Sequence, residues 1–196
     1  MNSLLTLFLQ IPAVIFATTI HEFSRAAVST AFGDRKPKND GRLTLNPAKH
    51  FEPIGFLLAW ITGFGWGKPV ETSPMFYKNK KSATLVTAVM PSIINIVFAI
   101  IFAMLFSFVG KNNLVIYILL YDLVRFNVSL AVYNIVPVTP MDGIKVLSVL
   151  LPANKYYSYI QYEKIIQMVF LLVLFMGYTD AIFNPIISFV MSLLIR

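Results

Sequence analysis

No cysteine occurs anywhere in the chain, which excludes disulfides and thiolate metal ligands. Histidine appears only twice and charged residues make up only 13%. A metal centre would therefore rest on very few imidazoles and carboxylates. Internal repeats and low-complexity tracts are also absent. What is abundant is apolar: 57% of residues are hydrophobic and the mean hydropathy is +0.72. That balance belongs to membrane proteins. The 196 residues suit a single membrane domain, 1-196, with no room for a second folded module. The net charge of +7 would suggest nucleic acid in a soluble protein. Here the cations flank apolar runs, which fits orientation in a bilayer and no nucleic-acid partner.

The first apolar run, from Ser3, lacks a basic leader and a small-residue cleavage site, so it reads as a retained helix. It spans the bilayer and continues to about Phe32, where Gly33 and Asp34 end it. Arg35, Lys36, Lys38, Arg42 and Lys49 follow, which places this side in the cytoplasm and the N-terminus outside. Gly41 to Pro47 alternates like a short strand, and Lys68 to Thr72 suggests a second. Pro53 to Gly67 has basic residues on both sides and reads as re-entrant, interfacial or a short hairpin, with Trp60 and Trp66 at the interface. Lys78 to Lys81 mark topology and touch anionic lipid. Ser82 to Gly110 crosses the membrane, Lys111 to Asn113 turn outside, and Leu114 to Val136 returns. Pro137, Pro140 and Gly143 then break the chain. Irregular backbone at that depth is tolerated where protein buries it or a cavity adjoins it. Ile144 to Leu151, Ile165 to Thr179 and Ala181 to Ile195 complete an all-α polytopic bundle of four to six membrane segments with a small membrane-associated β element.

The chemistry concentrates at His21-Glu22-Phe23-Ser24-Arg25. Polar groups on an apolar helix are costly in lipid and mark function by default. Residues four apart share a helix face, so His21 and Arg25 project side by side with Glu22 one step round. This is the H-E-x-x-H zinc helix, except that its fifth residue is arginine. Farther along, Asp122 and Arg125 lie three apart and are expected to pair. Asn127 and Asn134 share a face and suit helix packing.

Taken with Gly41-Arg42-Leu43-Thr44-Leu45-Asn46-Pro47, Gly65-Trp66-Gly67-Lys68-Pro69-Val70, Pro91-x-x-x-Asn95 and Asn134-x-x-Pro137-x-x-Pro140-x-Asp142-Gly143, the chain resembles the site-2 proteases in their small form. These are intramembrane zinc metalloproteases, and the likeness runs nearly end to end. It implies His21 and Asp142 as zinc ligands, Glu22 as the base that activates water, and Asn95 as an aid to substrate or oxyanion. It implies that Leu43, Thr44 and Leu45 receive an unwound transmembrane substrate by edge pairing. It implies an integral membrane location, compatible with a bacterial plasma membrane, with the site toward the cytoplasm. Two positions depart from the pattern: Met90 stands where the family has glycine, and Arg25 stands at the second histidine.

Catalytic zinc takes about three protein ligands and an open position. A guanidinium offers no lone pair and stays protonated, so the resemblance implies zinc while Arg25 points to a chain without it. His50 reads as structural. Arg25 is instead expected to bridge Glu22 and Asp142 in the metal's place. Three functions follow: an intramembrane metalloendopeptidase impaired by Arg25, a pseudoprotease that binds transmembrane clients as adaptor or regulator, and, more weakly, a small transporter built on Asp122 and Arg125.

Overall fold

A computed structural model of the chain describes residues 3–63, 65–109 and 113–195. Its frame is three long apolar helices: α1 (Ser3–Ala31), α4 (Lys80–Phe108) and α5 (Leu114–Tyr133). Each is long and apolar enough to cross a bilayer, as expected of a membrane protein. Between α1 and α4 lie the single turn α2 (Lys36–Asn39) and the ten-residue α3 (Pro53–Thr62). Beyond α5 come α6 (Gly143–Leu150), α7 (Ala153–Gln161), α8 (Glu163–Phe175) and α9 (Tyr178–Leu194). Among the described residues three helices reach spanning length, fewer than the four to six membrane segments expected, because α8 and α9 stop at 13 and 17 residues. The turn expected at Lys111 to Asn113 lies mostly outside the described residues.

Sequence sets the helix ends. The Asn79 and Asn113 side chains accept from Ser82 N and Ile116 N, capping α4 and α5. Glu52 does the same for α3 through Gly55 N. Gly63 closes α3 at φ +77°, a conformation costly for any residue with a Cβ.

Small residues bring the long helices together, as they do in lipid. Ala13, Val14 and Ala17 of α1 meet Phe126 and Leu130 of α5 and Ala59 of α3. Ala99 and Ala103 of α4 meet Val124, Val128 and Val132 of α5, and this cluster extends to Ile187 and Met191 of α9. The result is a three-helix core in which α1 touches both α4 and α5. That arrangement is what buries the polar middle of α1.

The expected β element does not form among the described residues: 41–46 is turn, bend and irregular backbone, and 67–73 is irregular. The reason lies in its hydrogen bonds. Lys68 N donates to His50 O (2.8 Å), Val70 N to Glu22 Oε2 (2.7 Å) and Ser73 N to Asp34 Oδ2 (2.7 Å). The donors that a ladder would use are spent on side chains and a loop carbonyl. Arg42 completes the tie by donating Nη2 to Lys68 O at 2.6 Å.

Candidate functional site

The polar residues of α1 are held at the centre of the bundle. His21, Glu22, Arg25, Asn95 and Asp142 are all buried, Arg25 to 1% exposure. Asp142 arrives from the broken segment after α5. There Gly143 N donates to Asn134 O (2.8 Å) and Asp142 N to Asn134 Oδ1 (3.2 Å). Gly143 packs so closely on the preceding turn that a Cβ would lie 2.3 Å from Ile135 O. No other residue fits there, and the aspartate is aimed by that contact. Thr139 bonds Glu163 and Tyr159 bonds Pro137 O, pinning the break to α7 and α8.

Arg25 occupies the middle of the cluster. Its Nη1 donates to Glu22 Oε1 at 2.9 Å and Oε2 at 2.7 Å. Its Nη2 donates to Asp142 Oδ2 at 2.6 Å and lies 3.3 Å from His21 Nε2. Lys145, one turn along α6, donates Nζ to Asp142 Oδ1 at 3.1 Å. Both oxygens of Asp142 thus face cations, and both oxygens of Glu22 face the guanidinium. Charge-assisted bonds of this kind are the strong ones. In a dry setting they offset the cost of burying the charges, and removing one partner from such a set costs about 3–5 kcal/mol.

This donor set does not fit a zinc ion. The one point common to His21 Nε2 and Asp142 Oδ2, which are 3.1 Å apart, is filled by a guanidinium nitrogen. Glu22 is saturated by Arg25 and by Val70 N. Among the described residues no group of three or more His, Cys, Asp or Glu side chains is placed to hold a metal.

Asn95 of α4 stands behind His21, its Oδ1 2.7 Å from His21 Nδ1. Its amide hydrogens go to Ala17 O (3.1 Å) and Asn127 Oδ1 (2.8 Å). Neither is left to donate to an oxyanion in this arrangement. Leu43, Thr44 and Leu45 do not join the cluster. Leu45 is 59% exposed on the loop, and Thr44 O binds His50 Nε2 at 2.7 Å. His50 is fully buried away from the cluster, and burial pushes its imidazole below the ordinary histidine range.

Three contributors escaped the sequence reading. Lys145 is three residues from Asp142, a spacing that signals a partner on a helix. Asn127 is more than packing, since it reaches His21 through Asn95. Asp34 is buried where α1 ends, accepting from Ser29 Oγ (2.8 Å), Lys36 N (2.9 Å) and Ser73 N, and thereby fixes the loop that brings Val70 N to Glu22. Nothing local marks Asp34 as more than a helix stop.

The expected pairing of Asp122 with Arg125 is not made: no ion pair joins them within 4.0 Å, and Asp122 Oδ2 is buried without a partner among the described residues. Arg125 turns to the end of α3, where a Cβ on Gly63 would lie 3.0 Å from its Nη2, and to the Phe126 ring at 5.6 Å. The carbonyl end of a helix attracts a cation.

No family model and no solved structure matches the chain. The chain is 32% identical over 147 residues to the Bacillus subtilis (strain 168) protein named "Putative zinc metalloprotease YwhC", a match covering 71% of this chain and 67% of the relative. At that identity and coverage the chain belongs to the zinc metalloprotease family.

Proposed function

We infer that this chain is a silent intramembrane member of that family, of the site-2 type, which binds transmembrane segments and does not cut them. One observation carries the reading: the Arg25 guanidinium lies between Glu22 and Asp142 and engages both. Peptide hydrolysis needs a base with a free oxygen and an activated water. Glu22 has neither oxygen free of Arg25, and Arg25 cannot surrender a proton to free one. The cluster is therefore a strut joining α1 to the Asp142 segment.

Client binding is supported by an apolar cavity of about 580 Å³ along the lipid side of α1, between Ile11, Ile15, Phe16 and Ile20, with Leu45 and Phe98 opposite. Its walls suit an apolar helix, and the exposed Leu43–Leu45 loop at its end suits a segment that has begun to unwind. Chain 1-196 acts as one domain in this reading, in a bacterial plasma membrane. The N-terminus lies outside, and the basic residues around Lys36 and Lys80 face the cytoplasm near the site.

The deciding experiment measures zinc content and cleavage of a model membrane substrate in three proteins: the unmodified chain, Arg25→His, and Arg25→His with Glu22→Gln as the blank. The reading expects no zinc and no cleavage from the unmodified chain. Gain of both by Arg25→His, lost again with Glu22→Gln, would identify an intact protease scaffold plugged by one residue. Stoichiometric zinc in the unmodified chain would overturn the silent reading in favour of a peptidase.

A further inference from the structure

Lys145 links the strut to a second polar site. A cavity of about 230 Å³ lies where α4, α6 and α7 meet the loop before α4. Thr84 and Thr87 of α4, Lys145 and Ser148 of α6 and Tyr156 of α7 line it. Each of the first two pairs is three residues apart, so α4 and α6 each turn one polar face inward. Among the described residues no carboxylate lines the cavity. Its one charge is the Lys145 ammonium, whose side chain is 29% exposed. An ammonium has three donors. One goes to Asp142 Oδ1 at 3.1 Å, and two are left.

The hydroxyls divide into spent and unspent. Ser148 Oγ donates to Lys145 O at 2.6 Å. Tyr77, also on the wall, lies 2.7 Å from Ser29 Oγ, and Ser29 gives its own proton to Asp34, so the Tyr77 hydroxyl donates to Ser29. Thr87 is different. It is only 1% exposed, and its Oγ1 has no partner among the described residues. A buried hydroxyl left unpaired is costly and calls for an explanation. The Thr84 and Tyr156 hydroxyls engage no described group either. Three unspent O–H donors on two helices thus surround a cation on a third.

We propose that this cavity binds a phosphate ester, with Lys145 Nζ supplying the charge and Thr84, Thr87 and Tyr156 donating to its oxygens. Donors arriving from three helices suit a tetrahedral anion better than a flat carboxylate, and lysine serves phosphate as a point charge. The depth agrees. With α4 entering the membrane from the cytoplasmic face at Lys80, Thr84 and Thr87 stand one and two turns in. α7 (Ala153–Gln161) buries no residue and carries Tyr156, Tyr157 and Tyr159, a residue type that gathers at headgroup level. Exposed Lys78, Lys80 and Lys81 beside the site draw anions toward it. The proposal does not depend on whether the chain is silent.

The test uses full-length protein in a neutral, phosphate-free detergent, with bound lipid counted by native mass spectrometry. The probes are dioctanoyl phosphatidic acid, dioctanoylglycerol, which lacks the phosphate, and inorganic phosphate at constant ionic strength. One phosphatidic acid per chain and no dioctanoylglycerol are expected. Thr84→Val with Thr87→Val keeps the shape, removes two donors and is expected to weaken retention about tenfold or more. Tyr156→Phe, on a helix with no buried residue, is expected to weaken it several-fold and serves if the threonine variant fails to fold. Threonine-dependent binding of inorganic phosphate without lipid retention would keep the site and assign it to a soluble phosphate ester. Binding of neither probe would overturn the proposal. So would retention undiminished in the threonine variant and in Tyr156→Phe, as when it is lost only with Lys78→Gln, Lys80→Gln and Lys81→Gln, the mark of adsorption to surface lysines.

Discussion

Two acid-x-x-Arg pairs lie on two neighbouring membrane helices, and they behave differently. Glu22 and Arg25 on α1 close on one another at 2.7 Å. Asp122 and Arg125 on α5 have the same spacing and do not meet. Spacing places two side chains on one face, where an isolated pair is worth only about 0.2–0.5 kcal/mol. The surroundings decide whether that is enough. Arg25 finds a second carboxylate, Asp142, beyond the first, so both ends of its guanidinium are used. Arg125 finds the carbonyl end of α3 and an aromatic face, and leaves Asp122 behind.

The largest expected effect sharpens this contrast. Asp142→Asn removes the acceptor shared by Arg25 and Lys145 and is expected to destabilise the protein by about 3–5 kcal/mol. Asp122→Asn is expected to shift it by less than ~1 kcal/mol, because no partner is lost. Denaturant unfolding in detergent compares them, and equal losses would abolish the distinction. Next come two double-mutant cycles. Glu22→Gln with Arg25→Met should show a coupling of roughly 1–3 kcal/mol, and Asp122→Asn with Arg125→Met a coupling below about 0.5 kcal/mol. A strong second coupling would mean that Asp122 and Arg125 pair after all.

A smaller effect is expected at Gly63. Gly63→Ala strains the φ +77° cap and crowds Arg125, for about 1–2 kcal/mol. Adding Arg125→Met should relieve the crowding but not the strain. Additive losses in the double variant would separate Arg125 from the α3 terminus.

The smallest effect belongs to a third pair, Lys36 and Glu71, 2.6 Å apart on the surface. The hydrogen bond and charge of Lys36 hold the Glu71 carboxyl below its usual range. A carboxylate with a lowered folded-state pKa contributes stability above the ordinary carboxylate range and loses it as pH falls through its folded value. Solvent screens this exposed pair, so Glu71→Gln is expected to leave Tm unchanged within error at neutral pH. A clear drop would show that exposure is not what divides strong pairs from weak ones here.

The long helices, the break after α5 and the meeting of His21, Glu22, Arg25 and Asp142 were legible in the sequence. The helices, the break and the siting of His21 beside Arg25 rest on local signals, an apolar run, a proline cluster and a four-residue spacing, whereas Asp142 was brought to them only by the family resemblance. With Asp142 placed there by the resemblance, the bridging of two carboxylates by Arg25 followed from charge. What was not legible depends on competition between distant groups. The 68–72 segment has strand-like composition, yet its donors are taken by Glu22, His50 and Asp34. Asn95 looked available to an oxyanion, yet α1 and α5 claim both its hydrogens. The partner of Arg125 could not be foreseen without knowing that α3 ends beside it. Sequence reveals which groups need a partner, and packing chooses among the candidates.

The strut at the centre holds two carboxylates and two cations, Glu22 and Asp142 against Arg25 and Lys145. Its formal charge is zero, so the transmembrane voltage has no net handle on it. A lone buried charge moved across the field would exchange about 2.3 kcal/mol per 100 mV with the membrane. This quartet, moving as a body, exchanges none.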